Sequence, residues 1–164
     1  MTEFSTRQKV VTRQEAARWL EGLQAQGQKV VFTNGCFDLL HLGHVRYLEQ
    51  ARSLGDALVV GVNTDASVQR LEKGRGRPLT PENDRAAVLA ALACVDRVVL
   101  FGEDTPLELI TALKPDILVK GSDYKLDDIV GKEAVLARGG QVHALPLFPG
   151  YSTTDLLHRI RKGE

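Results

Sequence analysis

The sequence predicts an α/β fold: a single domain built on a Rossmann-like, doubly wound, mostly parallel five-stranded sheet. Two observations support this prediction. Short apolar runs rich in β-branched residues alternate five times with segments of helical periodicity. Some of these runs, such as Ala57–Val62, are apolar throughout, as is typical of parallel strands that helices cover on both faces. We therefore expect right-handed helical crossovers between successive strands.

Five strands are predicted from these apolar runs, each bounded by turn-forming residues or by a helix signal. They are Val30–Thr33, Ala57–Val62, Arg97–Phe101, Asp116–Lys120 and Gln141–Leu145. A helix is predicted before the first strand, because Thr12 and Glu15 form a capping-box pattern and Gly27 ends the helical pattern. Ala16 and Leu20 mark the apolar face of that helix.

Further helices are predicted between the strands, where start signals precede apolar periodic segments. Thr80 is predicted to cap the helix before the third strand, with Pro81 at its first position and Val88 on its apolar face. Thr105 gives the same capping signal before the fourth strand. The periodic pattern is lost over Asp65–Thr80, and no regular structure is predicted there.

Composition excludes several classes of protein. Basic and acidic residues balance at 21 each, so no overall positive charge favours a nucleic-acid partner. No segment approaches the ~20 apolar residues of a membrane-spanning helix, and the first residues lack the apolar core of a signal peptide. Cys36 and Cys94 form neither a disulfide framework nor a metal-ligand spacing. We expect a cytoplasmic protein that binds neither nucleic acid nor membranes.

Polar residues gather at the predicted carboxyl ends of the strands, which is where open parallel sheets bind ligands. The first strand ends in Thr33 and Asn34, and a loop leads from there to His41 and His44. Other clusters follow the second, fourth and fifth strands: Asn63 and Asp65; Lys120, Asp123 and Tyr124; and Ser152, Thr153 and Thr154. We expect the fold to bring these clusters together around one ligand.

The stretch from Gly35 to His44 is the strongest candidate for a ligand site. A junction from strand to helix offers unpaired backbone N–H groups and a positive helix end, which suits an anion. His41 and His44 lie three residues apart at this junction, and Gly35 and Gly43 allow a ligand to approach the backbone. A lone histidine is more often structural, but we interpret this pair as functional, adding hydrogen bonds and charge to a phosphate chain.

Other polar residues have two interpretations each. Asp38 either caps the following helix or contacts a ribose or a metal shell. The basic segment with Lys73, Arg75 and Arg77 is either a solvated surface loop or a clamp over a triphosphate. Lys120 ends an apolar strand, where an unpaired charge is costly, so a partner or a ligand is expected there.

The last helix begins with a similar ambiguity. Ser152 and Asp155 form a capping-box pattern, which explains the helix start without any function. The hydroxyl run from Ser152 to Thr154, preceded by Gly150, nonetheless favours a second phosphate cradle.

These groups suit nucleotidyl transfer. The sequence has no Ser-His-Asp order, no Cys/His metal cage, no Walker-type Gly-Lys-Ser/Thr and no Gly-x-Gly-x-x-Gly turn after the first strand. A substrate phosphate, whose second pKa is ~6, is already ionised at neutral pH and attacks the α-phosphorus without a strong base. The protein then has to align the reactants and stabilise charge on the phosphoryl oxygens and the pyrophosphate, usually with Mg²⁺.

Two motifs resemble those of the HxGH nucleotidyltransferase superfamily, in particular its cytidylyltransferase-like branch. They are Gly35–His44 and Gly150–Thr154, where a Ser-Thr-Thr run opens the last helix. From about Lys29 to Ile160 the chain is most similar to the adenylyltransferase domain of ADP-heptose synthesis. The supporting stretches are Arg77-Pro78, Arg85, Val95-Asp96, Glu103–Pro106, Pro115–Gly121, Asp123-Tyr124 and Ile129–Gly131.

This resemblance implies that AMP is transferred from ATP to D-glycero-β-D-manno-heptose 1-phosphate, giving ADP-heptose and pyrophosphate, with Mg²⁺ accompanying the ATP. It also implies the domain organisation. Residues 29–164 form the nucleotidyltransferase domain, and residues 1–28 are an N-terminal helical segment packed on it.

Roles for individual residues follow from the same resemblance. His41, His44 and a mobile Lys73 are implied to be catalytic, with Arg75 or Arg77 as alternatives to Lys73. Nucleotide contacts are implied for Thr33, Asn34, Gly35, Phe37, Gly43, Lys120, Gly150, Ser152, Thr153 and Thr154. Contacts with the acceptor substrate are implied for Asp38, Arg85, Asp123 and Tyr124. No protein side chain is implied as a metal ligand.

Two other functions remain open from the residues alone. One is a cytidylyltransferase that acts on a small polyol phosphate of the glycerol 3-phosphate type, because backbone groups could read either base. The other is a non-catalytic nucleotide-binding protein that uses the same cradle. Relatives commonly dimerise and often carry a sugar-kinase domain, and this sequence encodes no kinase. We therefore expect a homodimer and a sugar kinase on a separate chain.

Overall fold

All five predicted strands form one sheet in a computed structural model, which describes residues 5–71, 76–123 and 125–163. The strands are β1 (Val30–Gly35), β2 (Ala57–Asn63), β3 (Arg97–Phe101), β4 (Ile117–Gly121) and β5 (Gln141–Leu145). Their order is β3-β2-β1-β4-β5, and every neighbouring pair is parallel. The predicted Rossmann-like sheet is confirmed, and it is parallel throughout rather than mostly parallel.

Seven helices of the described residues flank this sheet. They are α1 (Arg13–Gln24), α2 (Leu42–Arg52), α3 (Asp65–Arg70), α4 (Glu82–Ala90), α5 (Leu107–Leu113), α6 (Lys132–Leu136) and α7 (Thr153–Lys162). Apolar residues of α2 and α4 pack on one face of the sheet, and those of α1, α5 and α6 pack on the other. The fold is therefore doubly wound, as predicted. No helix within the described ranges combines the length and apolar character needed to cross a bilayer.

Successive residues of each central strand are buried on opposite faces of the sheet. Val31 and Leu58 belong to the core under α2 and α4, whereas Val30 and Phe32 belong to the core under α1 and α5. Each fully buried side chain of this size contributes about 1.5–3 kcal/mol of transfer free energy. Burial on both faces explains why these strands read as continuous apolar runs rather than as alternating patterns.

The N-terminal segment shares the core of the sheet. Thr12 and Glu15 form the predicted capping box: the Thr12 hydroxyl accepts from the Glu15 amide at 3.2 Å, and the Glu15 carboxylate accepts from the Thr12 amide at 2.8 Å. Leu20 of α1 is completely buried against the sheet. Val10 forms a parallel bridge with Val98 of β3, so the segment also extends the sheet edge.

The prediction of no regular structure over Asp65–Thr80 is wrong at its beginning, where α3 lies. Thr64 caps this helix by accepting a hydrogen bond from the Ser67 amide at 3.3 Å. The helix has six residues, and its buried positions are Ser67 and Val68. Such a short helix with one buried apolar side chain has no apolar period for a sequence reading to detect.

Two predicted helix caps are also wrong. Neither α4 nor α5 has a side-chain cap, and both begin after a proline, Pro81 and Pro106 respectively. Thr80 is instead held by tertiary contacts, since its amide donates to the Asp38 carboxylate at 2.9 Å. Val88 is 47% exposed rather than part of the packed face of α4.

One irregularity of the sheet positions the functional site. β1 pairs with β2 along its whole length, from Val30 to Gly35. It pairs with β4 at only two positions, Val31 with Ile117 and Phe32 with Leu118. The two strands therefore separate toward their carboxyl ends, which is where the strand order reverses and where ligands bind in folds of this class.

We predict that Leu20→Ala lowers the free energy of unfolding by about 2–5 kcal/mol, because it leaves a cavity between α1 and the sheet. Urea unfolding followed by circular dichroism measures this change. Glu21→Ala, at an exposed position on the same helix, is the control and should shift stability by no more than about 0.5 kcal/mol. Equal stabilities of the two variants would mean that α1 is not part of the cooperative unit.

Candidate active site

A cleft of about 760 Å³ opens at the carboxyl ends of the strands, where β1 and β4 separate. It is lined by most of the residues that the sequence analysis assigns to the site. They are Asn34, Gly35, Phe37, Asp38, His41, Gly43, His44, Lys120, Asp123, Ser152, Thr153 and Thr154. Lys73, Arg75 and Tyr124 lie outside the described residues. The fold thus brings together clusters that are far apart in the sequence.

His41 and His44 cap the N-terminus of α2 with their own side chains. His41 Nδ1 accepts a hydrogen bond from the His44 amide at 3.3 Å, and His44 Nδ1 accepts one from the His41 amide at 3.4 Å. This reciprocal arrangement is a capping box in which two imidazoles replace the usual hydroxyl and carboxylate. It fixes both rings at the start of the helix, with ring centroids 3.8 Å apart in a stacked geometry.

The capping bonds determine the tautomer of both rings. A neutral imidazole whose Nδ1 accepts a hydrogen bond carries its proton on Nε2. Burial lowers the pKa of His44 to about 4, with a smaller contribution from His41, and burial also lowers the pKa of His41. Both rings are therefore neutral at neutral pH and offer Nε2–H donors to the cleft. Each ring can therefore act as a hydrogen-bond donor, but neither ring carries at neutral pH the positive charge that we expected from the sequence.

The start of α7 faces the start of α2 across the cleft. Ser152 caps α7 by accepting from the Asp155 amide at 2.9 Å, which is the hydroxyl half of the predicted capping box. The Thr153 hydroxyl donates to the Leu39 carbonyl at 3.4 Å and ties α7 to the loop before α2. Two positive helix ends therefore converge on the same space, an arrangement that suits a polyphosphate.

Gly43 is required where the two helix starts meet. A Cβ at this position would lie 2.8 Å from the Tyr151 Cβ and 3.0 Å from His41 Nδ1. Any side chain would therefore displace either the segment before α7 or the capping imidazole. The glycine of the histidine motif is explained by this close approach rather than by its backbone angles.

Lys120 lies where β1 and β4 stop pairing. Its ammonium donates to the Asn34 carbonyl at 3.3 Å, a carbonyl that continued pairing with β4 would otherwise satisfy. The charge expected at this strand end therefore has a protein partner, and the side chain also lines the cleft. This places a cation between the carboxyl ends of the two central strands.

With this geometry established, comparison with known proteins gives a consistent result. Residues 32–159 match the sequence profile of the cytidylyltransferase-like family. The chain belongs to the cytidylyltransferase-like family. It is also similar to a crystal structure of the lipopolysaccharide core biosynthesis protein from Thermoplasma volcanium, with a TM-score of 0.62 and 34% identity, covering 74% of this chain and 98% of that chain.

Curated relatives extend the comparison. The chain is 62% identical over 148 residues to the bifunctional protein HldE of Magnetococcus marinus, which covers 90% of this chain and 29% of that protein. It is 61% identical over 136 residues to the HldE of Citrifermentans bemidjiense, covering 83% of this chain and 28% of that protein. The chain therefore spans less than a third of the length of these relatives.

Three of the expected contact residues of this family member lie away from the cleft lining. Arg85 is 2% exposed, and its guanidinium donates to the Cys36 carbonyl at 2.6 Å and the Asp65 carboxylate at 2.7 Å. Thr33 is completely buried, with its hydroxyl 2.7 Å from the Tyr47 hydroxyl. Gly150, with a φ of 82°, forms the turn before α7. The guanidinium of Arg85 has three protein partners, and its expected contact with the acceptor substrate stays a prediction.

Asn63, from the polar cluster predicted after the second strand, also lines the cleft. Tyr47, Asp104 and Tyr151 line it as well, although no role in the site was expected for them from the sequence. Tyr47 follows His44 by three residues on α2, so it lies on the same helix face, and this spacing could have identified it. Burial raises its pKa to about 12, so it remains a neutral hydrogen-bonding group.

We predict that the unfolding free energy depends on pH through His44. The unfolded imidazole binds a proton near pH 6.5, whereas the folded one stays neutral until about pH 4. Because the unfolded state then binds more protons, stability falls as the pH falls from about 6.5 to about 4. Urea unfolding of the wild type and of His44→Asn across this window isolates the contribution of His44.

The unfolding free energies of the wild type and of His44→Asn should change with pH at different slopes between about pH 4 and about pH 6.5, and at the same slope above that range. An NMR titration of the histidine ring protons provides the direct measurement. A His44 ring that titrates near pH 6.5 would contradict the prediction.

Proposed function

We propose that this chain transfers AMP from ATP to D-glycero-β-D-manno-heptose 1-phosphate, giving ADP-heptose and pyrophosphate. One observation carries the nucleotidyl-transfer chemistry: two neutral imidazoles present Nε2–H donors to a cleft between the converging N-termini of α2 and α7. Identity of 62% to an HldE protein supports the assignment to heptose. Similarity to a lipopolysaccharide core biosynthesis protein supports the same pathway.

The chemistry follows from charge and positioning. An oxygen of the acceptor phosphate attacks the α-phosphorus, and the bond from that phosphorus to the bridging oxygen of the β-phosphate breaks. Pyrophosphate leaves with the electron pair. His41 and His44 donate hydrogen bonds through Nε2 to the oxygens on which negative charge develops. Because the attacking phosphate is already ionised, neither histidine has to act as a base.

Lys120 and the two helix ends complete this environment. The ammonium of Lys120 lies between the ends of β1 and β4, where it can attract a phosphate without leaving the Asn34 carbonyl. The first-turn amides of α7, after Ser152, provide a second set of donors for phosphate oxygens. Fixed dipoles of this kind need no reorganisation during the reaction, which is their catalytic advantage.

We propose that Mg²⁺ is bound mainly by the phosphates of ATP. Among the described residues there is no group of three His, Cys, Asp or Glu side chains that could hold a metal ion. Mg²⁺ fits a site of this kind, because the ion keeps several waters and is bound by substrate phosphates rather than by an all-protein cage. When bound, the ion would neutralise charge on the pyrophosphate.

The acceptor requires a preceding reaction. A sugar kinase would supply the heptose 1-phosphate. A homodimer is part of the same proposal, and light scattering coupled to size-exclusion chromatography tests it.

We predict that the protein releases pyrophosphate from ATP only when heptose 1-phosphate is present. A coupled pyrophosphate assay that crosses ATP and CTP with heptose 1-phosphate and glycerol 3-phosphate is the test. Turnover with CTP and not with ATP would support the cytidylyltransferase alternative. Nucleotide binding without turnover of any pair would support a non-catalytic binding protein.

We predict that His44→Asn reduces kcat by ~10²–10³, the usual effect of removing one preorganised donor to a transition-state oxygen. The asparagine oxygen can replace Nδ1 as the acceptor for the His41 amide, so the helix cap is kept while the Nε2–H donor is lost. His158→Asn, on the exposed surface of α7, is the matched control. Equal kcat values for His44→Asn and the wild type would remove the histidine from the reaction.

A further inference from the structure

Asp38 lies in the loop between β1 and α2, and its carboxylate contacts a neighbouring segment rather than open space. One oxygen accepts hydrogen bonds from the amides of Leu79 at 2.8 Å and Thr80 at 2.9 Å. The other oxygen forms an ion pair with Nε of Arg77. The side chain of Asp38 is 0% exposed and that of Arg77 is 13% exposed. Asp38 is thus committed to holding the chain that leads into α4.

Arg77 has a different relation to the cleft. It lines the cleft together with His41 and His44. Its guanidinium is planar and carries five N–H donors, and the ion pair with Asp38 is formed at Nε. The Nη1 and Nη2 groups are separate donors, bonded to the guanidinium carbon rather than to the atom that contacts Asp38. Together they have the fork geometry that matches phosphate oxygens.

We propose that Asp38 is a positioning residue that directs Arg77 toward the cleft, and that Arg77 binds a phosphate group of a substrate. The proposal rests on the proposed function to the extent that the substrates carry phosphates. That phosphate belongs either to the polyphosphate of ATP or to the monoester of the acceptor. The two sources present the same oxygens to the guanidinium, and the experiment below distinguishes them.

A purely structural role does not account for the ion pair. The segment before α4 is already anchored without Arg77, because Asp38 accepts from the two amides and Arg85 Nε donates to the Thr80 carbonyl at 2.9 Å. A buried ion pair adds little net stability once the desolvation of both charges is counted. The Arg77 guanidinium is not needed to anchor this segment, and it lines the cleft. Its position is therefore better explained by binding of an anionic ligand.

The test is a double-mutant cycle of Asp38→Asn and Arg77→Ala. Asparagine keeps an oxygen that accepts from the Leu79 and Thr80 amides, but its NH₂ group then faces the Arg77 Nε donor and breaks the pairing. Arg77→Ala removes the cation. We expect Arg77→Ala to lower kcat/KM by ~10²-fold, as for loss of a positioned charged donor, and Asp38→Asn to lower it by about tenfold.

The double variant distinguishes positioning from an independent role. If Asp38 acts through Arg77, the double variant should have a kcat/KM within about twofold of that of Arg77→Ala alone. A difference of that size is within the additivity error of such cycles. If the fold-reductions in kcat/KM of the two single variants multiply in the double variant, Asp38 acts without Arg77 and the proposal is overturned. Arg138→Ala, an exposed arginine outside the cleft lining, is the control and should behave as the wild type.

Binding measurements identify the phosphate and do not depend on turnover. ATP, AMP and heptose 1-phosphate are titrated separately into each variant by calorimetry. Weaker binding of ATP but not of AMP assigns Arg77 to the β- or γ-phosphate, and weaker binding of heptose 1-phosphate assigns it to the acceptor. Wild-type affinities for all three ligands in Arg77→Ala would overturn the proposal.

Two further comparisons keep the test decisive. A wild-type protein that binds ATP but does not turn over heptose 1-phosphate would contradict the proposed function and leave the ATP comparison valid. Arg77→Gln, which keeps a neutral donor toward Asp38, replaces Arg77→Ala if the alanine variant does not fold. Thermal unfolding followed by circular dichroism ensures that each variant is assayed in its folded state.

Discussion

The separation of β1 from β4 is the constraint on which the rest of this structure depends. The two strands pair at Val31 and Phe32 and then part, while β1 continues to pair with β2. The parting opens a cleft in the middle of the sheet, and the Lys120 ammonium satisfies the Asn34 carbonyl that loses its neighbour. The unpaired strand ends therefore produce both the space for a ligand and a cation beside it.

The electrostatics of the site depend more on neutral donors than on net charge. Burial and the reciprocal capping bonds keep His41 and His44 neutral, with their protons on Nε2. Neutral donors in a partly buried site can stabilise developing charge without the desolvation cost of two stacked imidazolium ions. The helix ends and Lys120 then supply the positive potential. Neutral rings also avoid the repulsion that two imidazolium ions would have with their centroids 3.8 Å apart.

The loop that carries the histidines is held by side chains rather than by regular structure. Phe37 has a φ of 47°, a conformation that non-glycine residues adopt only when the surrounding structure requires it. Two side chains connect this loop to the chain before α4. Asp38 of the loop accepts a hydrogen bond from the Leu79 amide, and Arg85 donates to the Cys36 carbonyl in the loop and to the Thr80 carbonyl. Buried charged side chains therefore help to define the shape of the cleft wall.

Much of the architecture was predictable from local signals. Apolar runs identified all five strands. The run of β2 is apolar until Asn63, because this strand is buried along its whole length. The capping box at Thr12 identified the start of α1. Signals of the same kind failed at Thr80 and Thr105, since a capping residue is only a preference that tertiary contacts can override. The short helix α3 was missed because it has almost no apolar face.

The sequence by itself determined how strands and helices alternate along the chain, except for α3. It also determined the histidine pair at a helix start and the hydroxyl run that opens the last helix. These follow from local spacing and from the resemblance of two motifs. Only the tertiary structure decided that Arg85 is buried, that Asp38 faces Arg77, and that both imidazoles are neutral. The physical reason is that burial and long-range partners set the charge and orientation of a side chain, and neither is encoded in its neighbours along the chain.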